Sequence, residues 1–198
     1  MFVIRRMLTV VGLTGAVIAS ASVPAWAAFA DSAKVSPTIA TTTVAAPASV
    51  TVNDYCVTTT TTVTDTYAIN PGNGYSTLMS SSTSTSTAVS TSNVQGTTTS
   101  TVPGAANTST TTTVTKNTDL HVTASWTASG SRGVNGYAVT AHLVDGTAYP
   151  MAQTTAGTLS TSQTVDADNL AYQPRLSVTT LTNYGWTAQS ALTGYISC

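Results

Sequence analysis

The sequence predicts an antiparallel all-β protein, and more specifically a β-sandwich, on three observations. About a third of the 198 residues are Ser or Thr, and Thr, like other β-branched residues, favours strands. Residues 120–126 alternate apolar and polar side chains, which is the period of a half-buried strand. After Asp119, short strand-like segments recur about every 10 residues with Gly- and Asn-containing turns between them, which is typical of a sandwich.

The composition excludes several classes of protein. The chain has six Lys and Arg and seven acidic residues, so that 7% of it is charged, against roughly 25% in soluble globular proteins. The net charge of −1 and the lack of a basic stretch argue against a nucleic-acid partner. The scarcity of Lys, Glu and Leu argues against a helical bundle. A Thr-rich β protein remains.

Residues 1–30 have the pattern of an export signal. Arg5 and Arg6 precede an apolar run at residues 7–23, and two small-x-small sites end at Ala27 and Ala30. The run is shorter than the roughly 20 residues that a transmembrane helix needs. We therefore expect a secreted or cell-surface protein, cleaved after Ala27 or Ala30, with no transmembrane segment in the mature chain. A retained N-terminal anchor is the alternative.

Two cysteines, Cys56 and Cys198, are present. An even number in an exported chain favours a disulfide. A bridge between them would close a loop of about 140 residues and stabilise the fold by on the order of 5 kcal/mol in the chain-entropy model. Two free thiols or an intermolecular bond are the alternatives.

The chain divides after the signal into a linker at 31–49, a Thr/Ser-rich region at 50–118 and a sandwich at 119–198. The Thr/Ser-rich region has two interpretations: long strands with Thr facing outward, or a partly disordered, O-glycosylated stalk. Pro-Gly turns at 71–72 and 103–104, with no Pro between Pro71 and Pro103, favour strands, because mucin-like stalks are rich in Pro.

In the sandwich region the alternation of apolar and polar residues and the positions of turn residues predict where strands and turns lie along the chain. Strands are expected near 120–126, 134–143, 158–165 and 172–178, with a last strand through residue 196, and turns at 129–133, 145–146 and 183–186.

Four stretches in this region, 120–126, 134–139, 170–178 and the turn 180–185, resemble strands B, C and F and the F–G turn of a fibronectin type III or related immunoglobulin-like module. The resemblance covers the C-terminal 80 or so residues. It implies that Trp126 is the core tryptophan and that Tyr172 is the strand F tyrosine. Pro47, the counterpart of the strand A proline, lies nearly 80 residues before Trp126, much farther than in the family. The Thr/Ser-rich strands are therefore either inserted in the module or form a preceding sheet.

The titratable residues do not indicate catalysis. The seven Asp residues are scattered, no G-x-S-x-G elbow occurs, and His121 and His142 read as strand residues. Asp166, Asp168 and Asn169 form the densest cluster, which could ligate Ca²⁺, but an Asx-rich loop is the favoured interpretation. We expect no enzyme activity and no cofactor.

Two aromatic residues in the predicted 183–186 turn, Tyr184 and Trp186, are candidates for contact with a partner; the alternative is that Trp186 packs into the core. The leading hypothesis is an exported, non-enzymatic protein with a role in adhesion, matrix or protein interaction, whose partner is a protein or a glycan. One alternative is a self-assembling subunit of a fibre or surface layer, because strands of low charge leave sheet edges open. Another is a small carbohydrate-binding module.

Overall fold

The computed structural model describes residues 43–198, so the predicted signal at 1–30 and most of the linker lie outside the described residues. The described chain contains strands β1 (Ala48–Ile69), β2 (Ser76–Ser90), β3 (Gly96–Pro103), β4 (Thr108–Thr127), β5 (Val134–His142), β6 (Ala148–Thr155), β7 (Ser160–Asp166), β8 (Arg175–Thr182) and β9 (Thr187–Gln189), and the 3₁₀ helix Ala167–Tyr172. No helix in this part of the chain is long and apolar enough to cross a bilayer.

The strands form two sheets in which every pair is antiparallel, so the predicted all-β antiparallel class is confirmed. The first sheet has the order β2-β1-β4-β3, and β7 also pairs with β4. β3 pairs with residues 109–116 of β4 and β7 with residues 119–125, so the two follow one another along β4. The second sheet has the order β6-β5-β8-β9.

We call the part with a hydrophobic core the core module: residues 48–57 of β1, residues 118–127 of β4, strands β5 to β9 and the 3₁₀ helix. Both sheets contribute to its core, and the alternation predicted for residues 120–126 is confirmed, because every second side chain of this segment is buried. The core residues are Cys56, Leu120, Val122, Ala124, Trp126, Tyr137, Val139, Ala167, Leu176, Val178 and Ile196.

The remaining residues of the first sheet form what we call the hydroxyl-rich extension: residues 58–69 of β1, strands β2 and β3, and residues 108–117 of β4. β2 and β3 are exposed along almost their whole length, so the extension is a single layer within the described chain. β1 has 22 residues and β4 has 20, whereas most strands have 3–10. At about 3.3 Å per residue, β1 spans about 70 Å.

Cross-strand threonine pairs between β3 and β4 supplement the backbone ladders of the extension, which has no buried core. Opposed hydroxyl groups lie within hydrogen-bonding distance in the pairs Thr97–Thr115 (3.2 Å), Thr99–Thr113 (3.3 Å) and Thr101–Thr111 (3.1 Å). Such pairs contribute roughly 0.2–1 kcal/mol each. The extension therefore rests on many weak lateral contacts rather than on buried apolar area.

Thr118 joins the core module to the extension. Its side chain is fully buried, and its hydroxyl accepts the N–H of Val94 (3.1 Å) and donates to the carbonyl of Val94 (2.8 Å). Because a hydroxyl carries one proton, Thr58 must be the donor in the 2.8 Å bond between the Thr58 and Thr118 hydroxyls. Thr118 thus holds β1, β4 and the β2–β3 loop together.

Two amide side chains of the β2–β3 loop complete this junction. Asn93 Nδ2 donates to Asp168 Oδ1 (2.7 Å) and Gln95 Nε2 donates to Asp166 Oδ1 (2.5 Å). Both acceptors lie where β7 passes into the 3₁₀ helix. The loop is therefore attached to the core module as well as to its own hairpin strands.

The predicted disulfide between Cys56 and Cys198 is confirmed. The Cα atoms are 4.9 Å apart, and the cysteines are separated by 142 positions in sequence. Beside the bridge, the N–H of Ser197 donates to Asp54 Oδ2 (2.6 Å). The C-terminus is thereby fixed to β1 where the core module meets the extension.

The last strand, predicted to run through residue 196, ends at Gln189, so that prediction is wrong. Residues 190–198 follow β8 without a regular ladder. The Ser190 hydroxyl accepts the N–H of Val178 (3.0 Å), and the Thr193 hydroxyl accepts the N–H of Leu176 (2.9 Å). Side-chain hydroxyls thus take backbone donors that a continuous strand would have used.

The placement of Tyr172 in strand F is also wrong. Tyr172 is the last residue of the 3₁₀ helix and is 52% exposed. The helix starts because the Asp166 side chain accepts the N–H of Asp168 (2.8 Å), and it stops because Gln173 adopts a left-handed conformation with φ of 48°. β8 begins only after this turn.

Candidate binding site: an aromatic loop at one end of the core module

The loop between β8 and β9, residues 183–186, presents two aromatic side chains to solvent. Tyr184 is 47% and Trp186 54% exposed. Their rings pack edge to face, with centroids 5.6 Å apart and an interplanar angle of 79°. The alternative that Trp186 packs into the core is therefore wrong. The core already holds Trp126, which is 5% exposed and packs against Tyr137.

The backbone of this loop is held by hydrogen bonds from its own base. The N–H of Gly185 donates to the carbonyl of Thr182 (3.0 Å), and the Thr182 hydroxyl donates to the carbonyl of Trp186 (2.6 Å). Gly185 has a φ of +80°, a conformation that glycine adopts without strain. Because Thr182 is buried, the Trp186 backbone is fixed from beneath.

The neighbouring β4–β5 loop, residues 128–133, supports the aromatic loop from the side. The Tyr184 hydroxyl donates to the carbonyl of Arg132, and the N–H of Asn183 donates to the carbonyl of Gly133 (2.9 Å). A Cβ at Gly133 would lie 2.7 Å from Tyr184 Cε1, so only glycine permits this approach. The exposed Arg132 side chain adds a positive charge to this end of the module.

The chain segment before β1 fastens the same end. The N–H of Ala45 donates to Ser131 Oγ (2.7 Å), and its carbonyl accepts from Ser129 Oγ (2.7 Å) and Thr180 Oγ1 (3.0 Å). The N–H of Ser129 donates to the Tyr137 hydroxyl (2.9 Å). The segment before β1, the β4–β5 loop and β8 are thus joined at the end of the core module that carries the aromatic loop.

The acidic cluster at residues 166–169 is a capped turn. The N–H of Asp168 first, and the Gln95 side chain second, lower the pKa of Asp166. Asn169 Nδ2 donates to the carbonyl of Asp166 (2.8 Å). Within residues 43–198, no group of three or more His, Cys, Asp or Glu side chains could hold a metal ion.

The other titratable groups singled out in the sequence lie apart from one another. Hydrogen bonds from Thr147, its backbone N–H first, lower the pKa of Asp145, which caps the β5–β6 turn. The His121 ring stacks on Tyr55 at 4.9 Å on the outer face of the first sheet. His142 Nε2 lies 2.8 Å from the Ser177 hydroxyl in the second sheet. The structure does not bring these groups together into one site.

The structure also contains a cleft that was not predicted from the sequence. An apolar cleft of about 490 Å³ is lined by residues of both sheets, among them Met151 of β6 and Val165 of β7, together with Tyr149, Tyr172 and Asp145. Its volume is in the range of small-molecule sites. The lining residues come from many separate segments, so no local sequence pattern could have indicated it.

Comparison with known proteins adds nothing to this geometry: no family model, no curated protein and no solved structure matches the chain. The class of protein is therefore stated from the structural features of the described chain. It is a disulfide-closed antiparallel β protein with an aromatic loop at one end of its core module and a single-layered, hydroxyl-rich extension. Its function must be argued from these parts.

Proposed function

We propose that this protein is an exported, non-enzymatic interaction protein of the cell surface or extracellular space. Its core module is a fibronectin III-like sandwich that contacts a partner through loop 183–186, in an adhesion or matrix role. The observation that carries the proposal is the pair Tyr184 and Trp186, half exposed and held on a fixed backbone. Tyr and Trp are enriched among residues that dominate binding energy at interfaces.

The strand arrangement supports the fibronectin III-like or immunoglobulin-like identity. In such sandwiches strands B and E share one sheet, and strands C, F and G share the other. Here β4, the counterpart of strand B, pairs with β7, while β5, β8 and β9 lie together in the second sheet. β2 and β3 then correspond to an insertion between the first two strands of the module. Loops of sandwiches cluster at their ends and commonly carry recognition.

Two features support export. The Cys56–Cys198 disulfide is of the kind that forms and persists in oxidising compartments outside the cytosol. Residues 1–30 carry a positive segment, an apolar run and small-residue cleavage sites, as secretory signals do.

The rigidity of the loop supports binding by a preformed surface. Ordering a mobile loop on association costs free energy, roughly 0.5–1.5 kcal/mol for each immobilised side chain. The bonds from Thr182 to Trp186 and from Tyr184 to Arg132 restrict the loop before any partner arrives. Less of the free energy gained by burying the two aromatic rings is therefore lost to ordering the loop on association.

Replacing Trp186 by Ala tests the proposal. The probe is fluorescently labelled protein, offered to the cells that produce it, to their cell-wall fraction and to a glycan array. We expect Trp186→Ala to weaken binding to cells or walls at least 10-fold, since truncating an anchor residue costs about 2 kcal/mol or more, and to leave the melting temperature almost unchanged. Tyr75→Ala is the matched control, because Tyr75 is an exposed aromatic in the β1–β2 turn of the extension.

Three outcomes would contradict the proposal: no binding by the parent protein, equal binding by parent and Trp186→Ala, or a large fall in the melting temperature of Trp186→Ala. Binding to a purified glycan that requires Trp186 would instead identify the protein as a carbohydrate-binding module.

A second candidate function is a self-assembling structural subunit. The observation that favours it is the outer edge of β2, which is long and carries no charge. Charged residues on edge strands are a usual protection against pairing with another chain.

A further inference from the structure

The outer edge of β2 is open along its length in the described chain. β2 pairs only with β1 and contains neither a charged residue nor a proline over its 15 residues. Its pairing with β1 is uninterrupted from Ser80 to Ser90. In an antiparallel strand every second residue directs its N–H and C=O away from a given neighbour. A row of backbone donors and acceptors therefore faces outward from β2.

The other sheet edges of the described chain each carry a feature that limits pairing. Residues 48–55 of β1, which β2 does not cover, contain Asp54 and a register shift. β6 contains Pro150, opposite a register shift in β5, and β9 has three residues. β3 is bounded by Gly96 and Pro103, and β7 has seven residues and ends at Asp166. Short length, proline, irregular register and charge are the usual protections of an edge strand. β2 has one register shift, near its start, and none of the others.

We propose that β2 is an assembly edge that pairs, antiparallel, with β2 of a second copy of this chain. A two-fold axis perpendicular to the sheet relates the two strands, as in closed homodimers. Each extension contributes the four strands β2-β1-β4-β3, so pairing produces one continuous sheet with β3 at both outer edges. The inference rests on the second candidate function and is independent of loop 183–186.

The side-chain pattern of β2 fits a copy of itself. Thr83, Thr85 and Thr87 lie on one face, and the intervening residues on the other face, 82, 84 and 86, are all Ser. Residues opposed across a two-fold axis lie on the same face, so Thr meets Thr and Ser meets Ser. The extension already contains this contact, because β3 and β4 oppose three Thr pairs with hydroxyl groups 3.1–3.3 Å apart.

The chemistry of β2 also favours a second copy over a different partner. The strand has no charge, so two copies do not repel each other, and it offers no charged group that would select an oppositely charged protein. From Ser80 to Thr87 its side chains are all short hydroxyls, so affinity over this stretch comes from main-chain bonds, as in other strand-addition interfaces.

Sedimentation velocity of the purified protein over a range of concentrations, up to about 1 mM, tests the inference. We expect the parent protein to pass from monomer to dimer as its concentration rises. Thr85→Lys should weaken this association at least 10-fold, since a charge on an edge strand opposes pairing. Thr99→Lys is the matched control: it adds the same charge to the same face, on the exposed strand β3, and should leave the dimer intact. Melting temperatures of both variants verify that they fold.

Hydrogen exchange at low and high concentration provides a second measurement that does not depend on the register of the pair. About half of the β2 amides should gain protection in the dimer, because alternate N–H groups face outward, and the amides of β3 should not. A parent protein that stays monomeric, an equal effect of Thr99→Lys, or unchanged exchange in β2 would each overturn the inference. None of these results would alter the Trp186→Ala assay, so the two proposals fail separately.

Discussion

The same two strands, β1 and β4, pass through two regions that are held together in different ways. In the core module, residues 118–127 of β4 alternate between buried and partly exposed side chains. In the extension, residues 108–117 of the same strand include no buried side chain. One backbone conformation is thus stabilised by apolar burial in one half and by lateral hydrogen bonding in the other.

The difference also concerns register. Where one face of a sheet is buried, a one-residue slip would expose the apolar face, so register is strongly specified. The extension has hydroxyl groups on both faces, as the neighbours Thr112 and Thr113 show, and a slip there would cost little. We infer that the core module sets the register of the extension, through the continuous β1–β4 pairing and the bonds of Thr118.

Removing the disulfide has the largest expected effect, because the bridge lies where the two regions meet. The double variant Cys56→Ser, Cys198→Ser should lower the free energy of unfolding by about 5 kcal/mol in the chain-entropy model, for a sequence separation of 142. Urea denaturation followed by tryptophan fluorescence measures this. A loss below about 1 kcal/mol would contradict the role of the bridge, since native disulfides in small secreted domains typically contribute 2–5 kcal/mol.

Matched truncations on one face of β4 sharpen the comparison. Leu120→Ala, in the core, should cost about 2–5 kcal/mol. Val114→Ala, six positions away on the same face but in the extension, should cost less than about 1 kcal/mol, because Val114 is only partly buried and leaves no closed cavity. Equal losses in denaturant unfolding would mean that the extension has a core of its own.

Replacing Thr118 by Val tests the junction. The substitution keeps the volume but leaves the Val94 N–H and carbonyl without their partner, so we expect a loss of about 1–3 kcal/mol, visible in faster exchange of residues 91–95 and of the extension. Thr123→Val is the control, because Thr123 bonds to Ser162 on the exposed outer face and should lose less than about 0.5 kcal/mol. Equal losses of unfolding free energy in the two variants would show that Thr118 does not hold the junction between the core module and the extension.

Acid should loosen the β2–β3 loop slightly. The pKa of Asp166 is below its ordinary value of 3.8 in the folded protein, so its stabilising effect is complete above that value and is lost as the pH falls through the lowered pKa. The protection factors of residues 91–95, which are corrected for the intrinsic pH dependence of amide exchange, should fall between about pH 5 and pH 2, and Asp166→Asn should reduce this fall. Unchanged acid sensitivity in Asp166→Asn would exclude Asp166 as the cause.

The sequence was most informative where the two faces of a strand carry different kinds of side chain, or where a rare residue type constrains the fold. Residues 120–126 alternate Leu, Val, Ala and Trp with polar residues, and this pattern alone indicated the buried face. The cysteine count indicated the bridge. By contrast, the sequence left residues 50–118 open between long strands and a stalk, because a run of Thr has no apolar face that marks where a strand begins or ends.

Other features depend on contacts that a single sequence does not display. The short β9 follows from hydroxyls that replace ladder acceptors, and the 3₁₀ helix follows from the cap by Asp166. For loop 183–186, Asn183 and Gly185 indicated the turn, but the exposure of Trp186 depended on whether Trp126 already filled the core. The cleft beside Met151 is made by residues that are distant in the chain.

Native-state hydrogen exchange along β4 tests most directly whether the core module orders the extension. Amides of residues 118–127 should exchange only through global unfolding, while those of residues 108–117 should be clearly protected but open at a lower free energy. Thr118→Val should reduce protection in residues 108–117 much more than in 118–127. Unprotected amides in 108–117 of the parent protein would contradict the account, and so would protection in that segment that Thr118→Val leaves unchanged.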